Sequence, residues 1–165
     1  MDITLSITKS VVMNEVAKQT SYIGGKITFQ DGSNAYDQVF TTEDDFAMLE
    51  KYWREASNAT ATNLRRFVKS IEESGATDTD LKLPQGSEVN KQGVLTITLS
   101  MPKRYDDSQT GTIQSTLFNY FVNFITSKWL GITYKEDAEY YDAYATGNMK
   151  EILLKIFYKK PAERL

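Results

Sequence analysis

The chain has 165 residues, of which 41% are apolar and 25% charged, with a formal net charge of −3. It contains no histidine and no cysteine, which removes the usual near-neutral acid/base, thiolate nucleophiles, disulfides and most structural zinc sites. The acidic balance argues against general nucleic-acid affinity, which relies on clustered Lys and Arg.

The length suits one domain, residues 1–165, with a real core. No apolar run reaches the roughly 18 residues that span a bilayer. Met1-Asp2-Ile3-Thr4 lacks the basic and apolar regions of a signal peptide, so the expectation is synthesis in the cytoplasm.

Residues 1–40 read as strand, helix and hairpin. Ile3, Leu5 and Ile7 alternate with Thr4, Ser6 and Thr8, the pattern of a half-buried strand. A helix is expected from about Ser10 to Tyr22, with Gly24-Gly25 as its stop. Lys26 to Phe29 and Tyr36 to Phe40 would then pair around a turn at Asp31-Gly32-Ser33-Asn34.

Thr41-Thr42-Glu43-Asp44-Asp45 has helix-start chemistry: a hydroxyl to cap amides and acids to complement the helix dipole. Phe46, Leu49, Trp53, Ala56, Thr60, Leu64, Phe67 and Ile71 recur at three- and four-residue intervals. The spacing predicts one long helix over 41–75, with a bend where Ala59 to Asn63 supplies weak helix formers. Residues 76–104 read as loop and strands, with a short strand at Leu81 and Leu83. A clear strand over Val94 to Met101 is closed by Pro102, which cannot donate to a ladder.

Residues 105–160 read as a helical hairpin, followed by a tail over 161–165. Its first helix spans about Ser108 to Leu130, with Gly131 as its end. Thr133-Tyr134-Lys135-Glu136 fits a capping box for the second. Lys155, Lys159 and Lys160 fall near that helix's negative end, and Pro161 stops it. The fold class expected is α+β, a small antiparallel sheet packed on a long central helix and a C-terminal antiparallel helical hairpin.

Carboxylate chemistry survives the missing histidine and cysteine. The pairs are Glu43/Asp44/Asp45, Asp78/Asp80, Asp106/Asp107 and Glu136/Asp137. Two carboxylates can hydrolyse a glycoside or hold a divalent cation. Helix starts explain the first, third and fourth groups as well. Gly24-Gly25-Lys26 misses the phosphate-loop motif, since Thr20 stands for its leading glycine and Ile27 for its Ser or Thr. Ser6 to Lys9 and Lys69-Ser70 read as ordinary element edges rather than serine–lysine sites. The basic groups Arg65-Arg66-Lys69 and Lys155, Lys159, Lys160 and Arg164 read as solvated faces and a helix end. No catalytic, cofactor-binding or metal-binding residue is assigned.

The aromatic crowding of the last helix remains. Tyr140, Tyr144 and Tyr158 fall off the inward stripe through Tyr141, Ala145 and Ile152. Tyrosine suits protein interfaces because it joins apolar area to a hydroxyl. The candidate interface is Tyr134, Tyr140, Tyr144 and Tyr158 with Lys159, Lys160 and Arg164.

Phe40-Thr41-Thr42-Glu43-Asp44-Asp45 with Tyr52-Trp53, then Ser127-Lys128-Trp129 and Ile156-Phe157-Tyr158-Lys159-Lys160-Pro161, resemble small virion-assembly proteins of tailed phages and prophages. Within that group the chain is similar to head–tail connector (adaptor) proteins, with tail terminators and other neck proteins also open. Adaptors usually have less strand than is expected here. The resemblance implies a protein made in the cytoplasm that assembles with itself into a homo-oligomeric ring in the virion, beside other virion proteins. The residues themselves point to a non-catalytic protein without cofactor or membrane partner, with nucleic acid disfavoured by the acidic balance. The competing readings are a carboxylate- or metal-dependent hydrolase and a soluble accessory binding protein.

Overall fold

A computed structural model of the chain describes residues 1–26, 39–42, 45–74 and 93–162. The fold is α+β. Three strands, β1 (Asp2–Thr8), β2 (Val68–Ser74) and β3 (Val94–Ser100), form an antiparallel sheet in the order β1-β3-β2. The helices are α1 (Lys9–Lys26), α2 (Phe46–Asn63), α3 (Thr110–Thr133) and α4 (Lys135–Ile156).

The period-2 pattern sets the faces of the sheet. Ile3, Leu5 and Ile7 lie opposite Leu99, Ile97 and Leu95, and all six are buried. Thr4 and Ser6 lie opposite Thr98 and Thr96 on the other face, where the Asp2–Lys69 ion pair (2.7 Å) ties β1 to β2 across β3. Burial pulls every second residue to one side, so the register of β1 against β3 is fixed.

The long central helix is α3, not residues 41–75. Its mostly apolar sequence packs against α1, α2, α4 and β1 at once. Trp53 of α2 meets Phe121 of α3 at 5.0 Å between ring centroids. Trp129 of α3 donates its indole N–H to the Val39 carbonyl at 2.6 Å, and the Thr41 amide donates to Thr20 Oγ1 of α1. These two bonds seat residues 39–42 against the helical layer.

Several sequence expectations are corrected. The stripe from Phe46 to Ile71 is not one helix: α2 ends at Asn63, where a bend was expected, and the chain turns into β2. Thr60, Thr62 and Asn63 each bond back to the carbonyl four residues earlier, an alternative to continued helix that polar side chains supply. Helix α1 runs through Gly24-Gly25 to Lys26, so Lys26 does not begin a strand. Residues 27–38 of the expected hairpin, and Leu81 and Leu83, lie outside the described residues. At the start of α2 Asp45 stands at the N-cap and its side chain caps no helix amide; it accepts from the Thr42 amide at 2.8 Å.

Helix α3 passes Gly131 and ends at Thr133. The capping box is absent, because the Thr133 hydroxyl returns to the Trp129 carbonyl. Tyr134 alone links α3 to α4, and so short a link forces the antiparallel hairpin that the sequence predicted.

Candidate assembly surface

Helix α4 buries one stripe, Ala145, Met149, Ile152 and Ile156, against α3. A helix turns 100° per residue, so positions 140, 144, 147, 151 and 154 fall on the opposite side. Three of those five are large and apolar in body, and Tyr158 follows just past the helix end. Tyr140 is 63% exposed, Tyr144 57%, Leu154 63% and Tyr158 49%. Tyr144 is held edge-on to Tyr141, 5.7 Å between centroids and 86° between planes. Tyr141 itself is half-buried in a small cluster with Ile23, Val39 and Leu130, and this burial pushes its phenol pKa up.

Just past α4 the chain is clasped. The Asp106 amide donates to the Tyr158 carbonyl (2.9 Å) and the Lys160 amide to the Arg104 carbonyl (2.9 Å). The Arg104 guanidinium donates to the Lys160 carbonyl (2.7 Å), and Lys160 pairs with Asp107 (2.6 Å). That hydrogen bond holds the Asp107 carboxyl below the usual carboxylate range. Arg104 adopts φ 63°, a left-handed conformation costing a non-glycine residue roughly 1–2 kcal/mol. The clasp therefore fixes Tyr158 at the end of the exposed stripe.

The expected interface residues separate in the structure. Tyr140 and Tyr144 share the exposed side of α4, and Tyr158 is exposed just past its end. Tyr134 is drawn inward against the Ile23–Val39–Leu130 cluster, and its hydroxyl donates to Glu136 at 2.6 Å, which raises its pKa. Lys159 bridges to Tyr105 and Lys160 serves the clasp, while Arg164 lies outside the described residues. Sequence reasoning did not single out Leu154, and it counted Phe157 among the crowding aromatics without placing it in the candidate interface. Phe157 is exposed yet stacks edge-on against Phe67. The signal for Leu154 was present in its spacing from Tyr140 and Tyr144.

The acids do local work. Asp106 accepts from the Ser108 amide and hydroxyl, capping the short turn Asp107–Gln109 that leads into α3. Glu43, Asp44, Asp78 and Asp80 lie outside the described residues. Among the described residues, no group of three or more acids could hold a metal ion, and no helix is long and apolar enough to cross a membrane. Two open grooves of about 390 and 430 Å³ flank α1. One lies between Tyr22 and Tyr141, the other between Met13 and Phe46.

A charge cluster not anticipated from sequence sits inside. Lys9 is 1% exposed and reaches Glu50 (2.9 Å) and Glu73 (3.0 Å). Its ammonium lies 5.5 Å from the Trp53 ring centre, and the Trp53 N–H donates to Glu73.

No protein-family model, curated protein or solved structure matches the chain.

Proposed function

We propose that the protein is a non-catalytic assembly module that works by shape and surface complementarity. The observation that carries this reading is the exposed side of α4, where Tyr140, Tyr144 and Leu154 stand in solvent on one helix, with the exposed Tyr158 just past its end. Large apolar side chains grouped on one rigid face mark protein–protein surfaces. The carboxylates Asp45, Asp106, Asp107 and Glu136 are each engaged by a neighbour, which leaves them better explained as structural groups than as reactive ones.

The partner is first the chain itself. Symmetric self-association would bury the tyrosine face, and ring formation would add head-to-tail contacts through other surfaces. The resemblance to head–tail connector and neck proteins of tailed phages supplies the larger setting: a protein made in a bacterial cytoplasm and built into a virion ring.

Tyr140→Ala combined with Tyr144→Ala tests this. The double variant keeps the circular dichroism and unfolding midpoint of the parent, while sedimentation velocity shows its oligomers dissociating at concentrations where the parent stays assembled. Unchanged oligomers would remove the tyrosine face from the assembly.

A further inference from the structure

We infer that one end of the molecule binds single-stranded nucleic acid, taking its phosphates on converging basic pairs and a base on the aromatic rings among them. The inference does not depend on self-assembly.

The pairs Arg65-Arg66, Lys103-Arg104 and Lys159-Lys160 lie far apart in the sequence. The fold brings them to one end. Arg65 and Arg66 sit in the turn between α2 and β2, closed by bonds from the Phe67 and Val68 amides to the Leu64 carbonyl (2.8 and 3.1 Å). The Phe67 carbonyl accepts from the Ser100 amide (2.7 Å), just before Pro102-Lys103. The Phe67 ring meets Phe157 edge-on, 5.5 Å between centroids, and the clasp holds Lys159-Lys160 against Arg104-Tyr105.

The charge gathered there is not cancelled. Lys160 is paired with Asp107 and Lys69 with Asp2, so neither counts. Arg65, Arg66, Lys103 and Lys159 are exposed and make no ion pair among the described residues. Arg104 donates to a neutral carbonyl, which leaves its charge standing. Asp106, the acid of the clasp that no lysine meets, is turned to the Ser108 amide and hydroxyl. The net charge of −3 conceals this end because acids gather elsewhere. Glu136, Asp137 and Glu139 lie near the other end of α4, about 30 Å along it.

The rings select the polyanion. Phe157 and Tyr158 stand between the basic pairs with about half of their surface in solvent. Phe67 steadies the first, and the clasp fixes the backbone of the second. Arginine matches phosphate oxygens in bidentate geometry, and exposed rings among cations stack unpaired bases. A duplex keeps its base faces stacked inside and offers the rings nothing. Binding flat on an anionic membrane uses an amphipathic helix, whereas this end is built of clasped turns.

Fluorescence anisotropy of a labelled oligothymidylate about 12 nucleotides long tests this on the full chain. The parent binds it, and affinity falls about 50-fold between 50 and 200 mM salt, as about four phosphate contacts require. Arg65→Glu combined with Lys159→Glu keeps the circular dichroism of the parent, weakens binding roughly tenfold or more and flattens the salt dependence. Lys51→Glu combined with Lys135→Glu makes the same change in net charge near the far ends of α2 and α4, and leaves binding within about twofold. Tyr158→Ala, which keeps the backbone of the clasp, weakens binding about fivefold or more. A parent that does not bind the oligonucleotide at the lower salt overturns the inference, and so does binding only to phosphatidylserine vesicles. Equal losses in the two charge-reversed variants, or none in either, overturn the placement of the site. Unchanged affinity of Tyr158→Ala overturns the role of the rings, and with it the choice of a single strand.

Discussion

Lys9 shows how a single residue can tie together distant parts of the chain. It opens α1, its amide donates to the Gly93 carbonyl next to β3, and its ammonium joins Glu50 of α2 to Glu73 of β2. Gly93 sits close to this cluster: a Cβ would lie 3.0 Å from the Glu73 carboxylate and 3.3 Å from the lysine, so those side-chain ends would have to give by a few tenths of an ångström. Removing one partner of a buried ion pair costs about 3–5 kcal/mol, since the remaining charge stays desolvated. Glu50 and Glu73 keep some solvent contact, so Lys9→Met should cost about 2–3 kcal/mol. A lowered urea midpoint with an unchanged m-value would register that loss. Lys69→Met, which breaks the exposed pair with Asp2, should leave the midpoint nearly where it was.

Tyr120 gives the residue scale a pH dependence. Burial pushes its phenol up to about 12, from an ordinary value near 10. In the unfolded chain it ionises near 10, while in the folded chain it holds its proton. Stability from this group is therefore complete below about pH 10 and declines as pH rises from 10 towards 12. Tyr120→Phe should flatten that alkaline decline, measured as unfolding midpoint against pH, and leave the neutral midpoint within about 1 kcal/mol.

At the scale of elements, legibility followed how local the deciding forces were. Strands β1 and β3 were readable because alternation records burial on one face, and the hairpin of α3 and α4 because a short link allows only one direction. Helix α2 was not readable to its end. Leu64, Phe67 and Ile71 keep helical spacing, yet pairing with β3 takes Ile71 opposite Ile97, and that partner is remote in sequence. The capping box failed for a similar reason: packing against α1, α2 and β1 carries α3 on to Thr133, where its threonine belongs to the old helix rather than the new one. Of the candidate site, the outward turn of Tyr140 and Tyr144 was legible from helical phase, whereas Tyr158 is exposed past the end of the helix. Tyr134 was not, because its inward turn depends on Ile23 and Val39. The Lys9 cluster was hidden because α2 and β2 supply its acids.

The clasp after α4 is the element whose removal is most readily seen. Asp107 gains its low pKa from Lys160, so the pair is complete above the usual carboxylate range and weakens as pH falls through the depressed value. Asp107→Asn should speed hydrogen exchange of the Lys160 and Asp106 amides, which carry the clasp, and leave exchange in the middle of α3 unchanged. Equal acceleration in both places would mean that the clasp opens only with the whole fold.

For the whole molecule, the proposed association through a helix face competes with a three-stranded sheet that has two edges. Edge strands expose unpaired backbone groups that template further pairing. On β1 that edge is closed from within: the Gln114 side chain of α3 both accepts from the Ser6 amide (2.9 Å) and donates to the Ser6 carbonyl, standing in for a neighbouring strand. On β2 the register shifts between Val68 and Ser70, and Lys69, Glu72 and Glu73 place charge along the strand, two of the devices that discourage strand addition. With both edges blunted among the described residues, α4 offers a helix face on which Tyr140, Tyr144 and Leu154 are exposed. Gln114→Ala should then cost about 1 kcal/mol and open a second route to association through β1. Light scattering would show that association persisting when Tyr140→Ala and Tyr144→Ala are added to the same chain. If the combined variant stays dispersed, Gln114 supports the monomer but does not guard its edge.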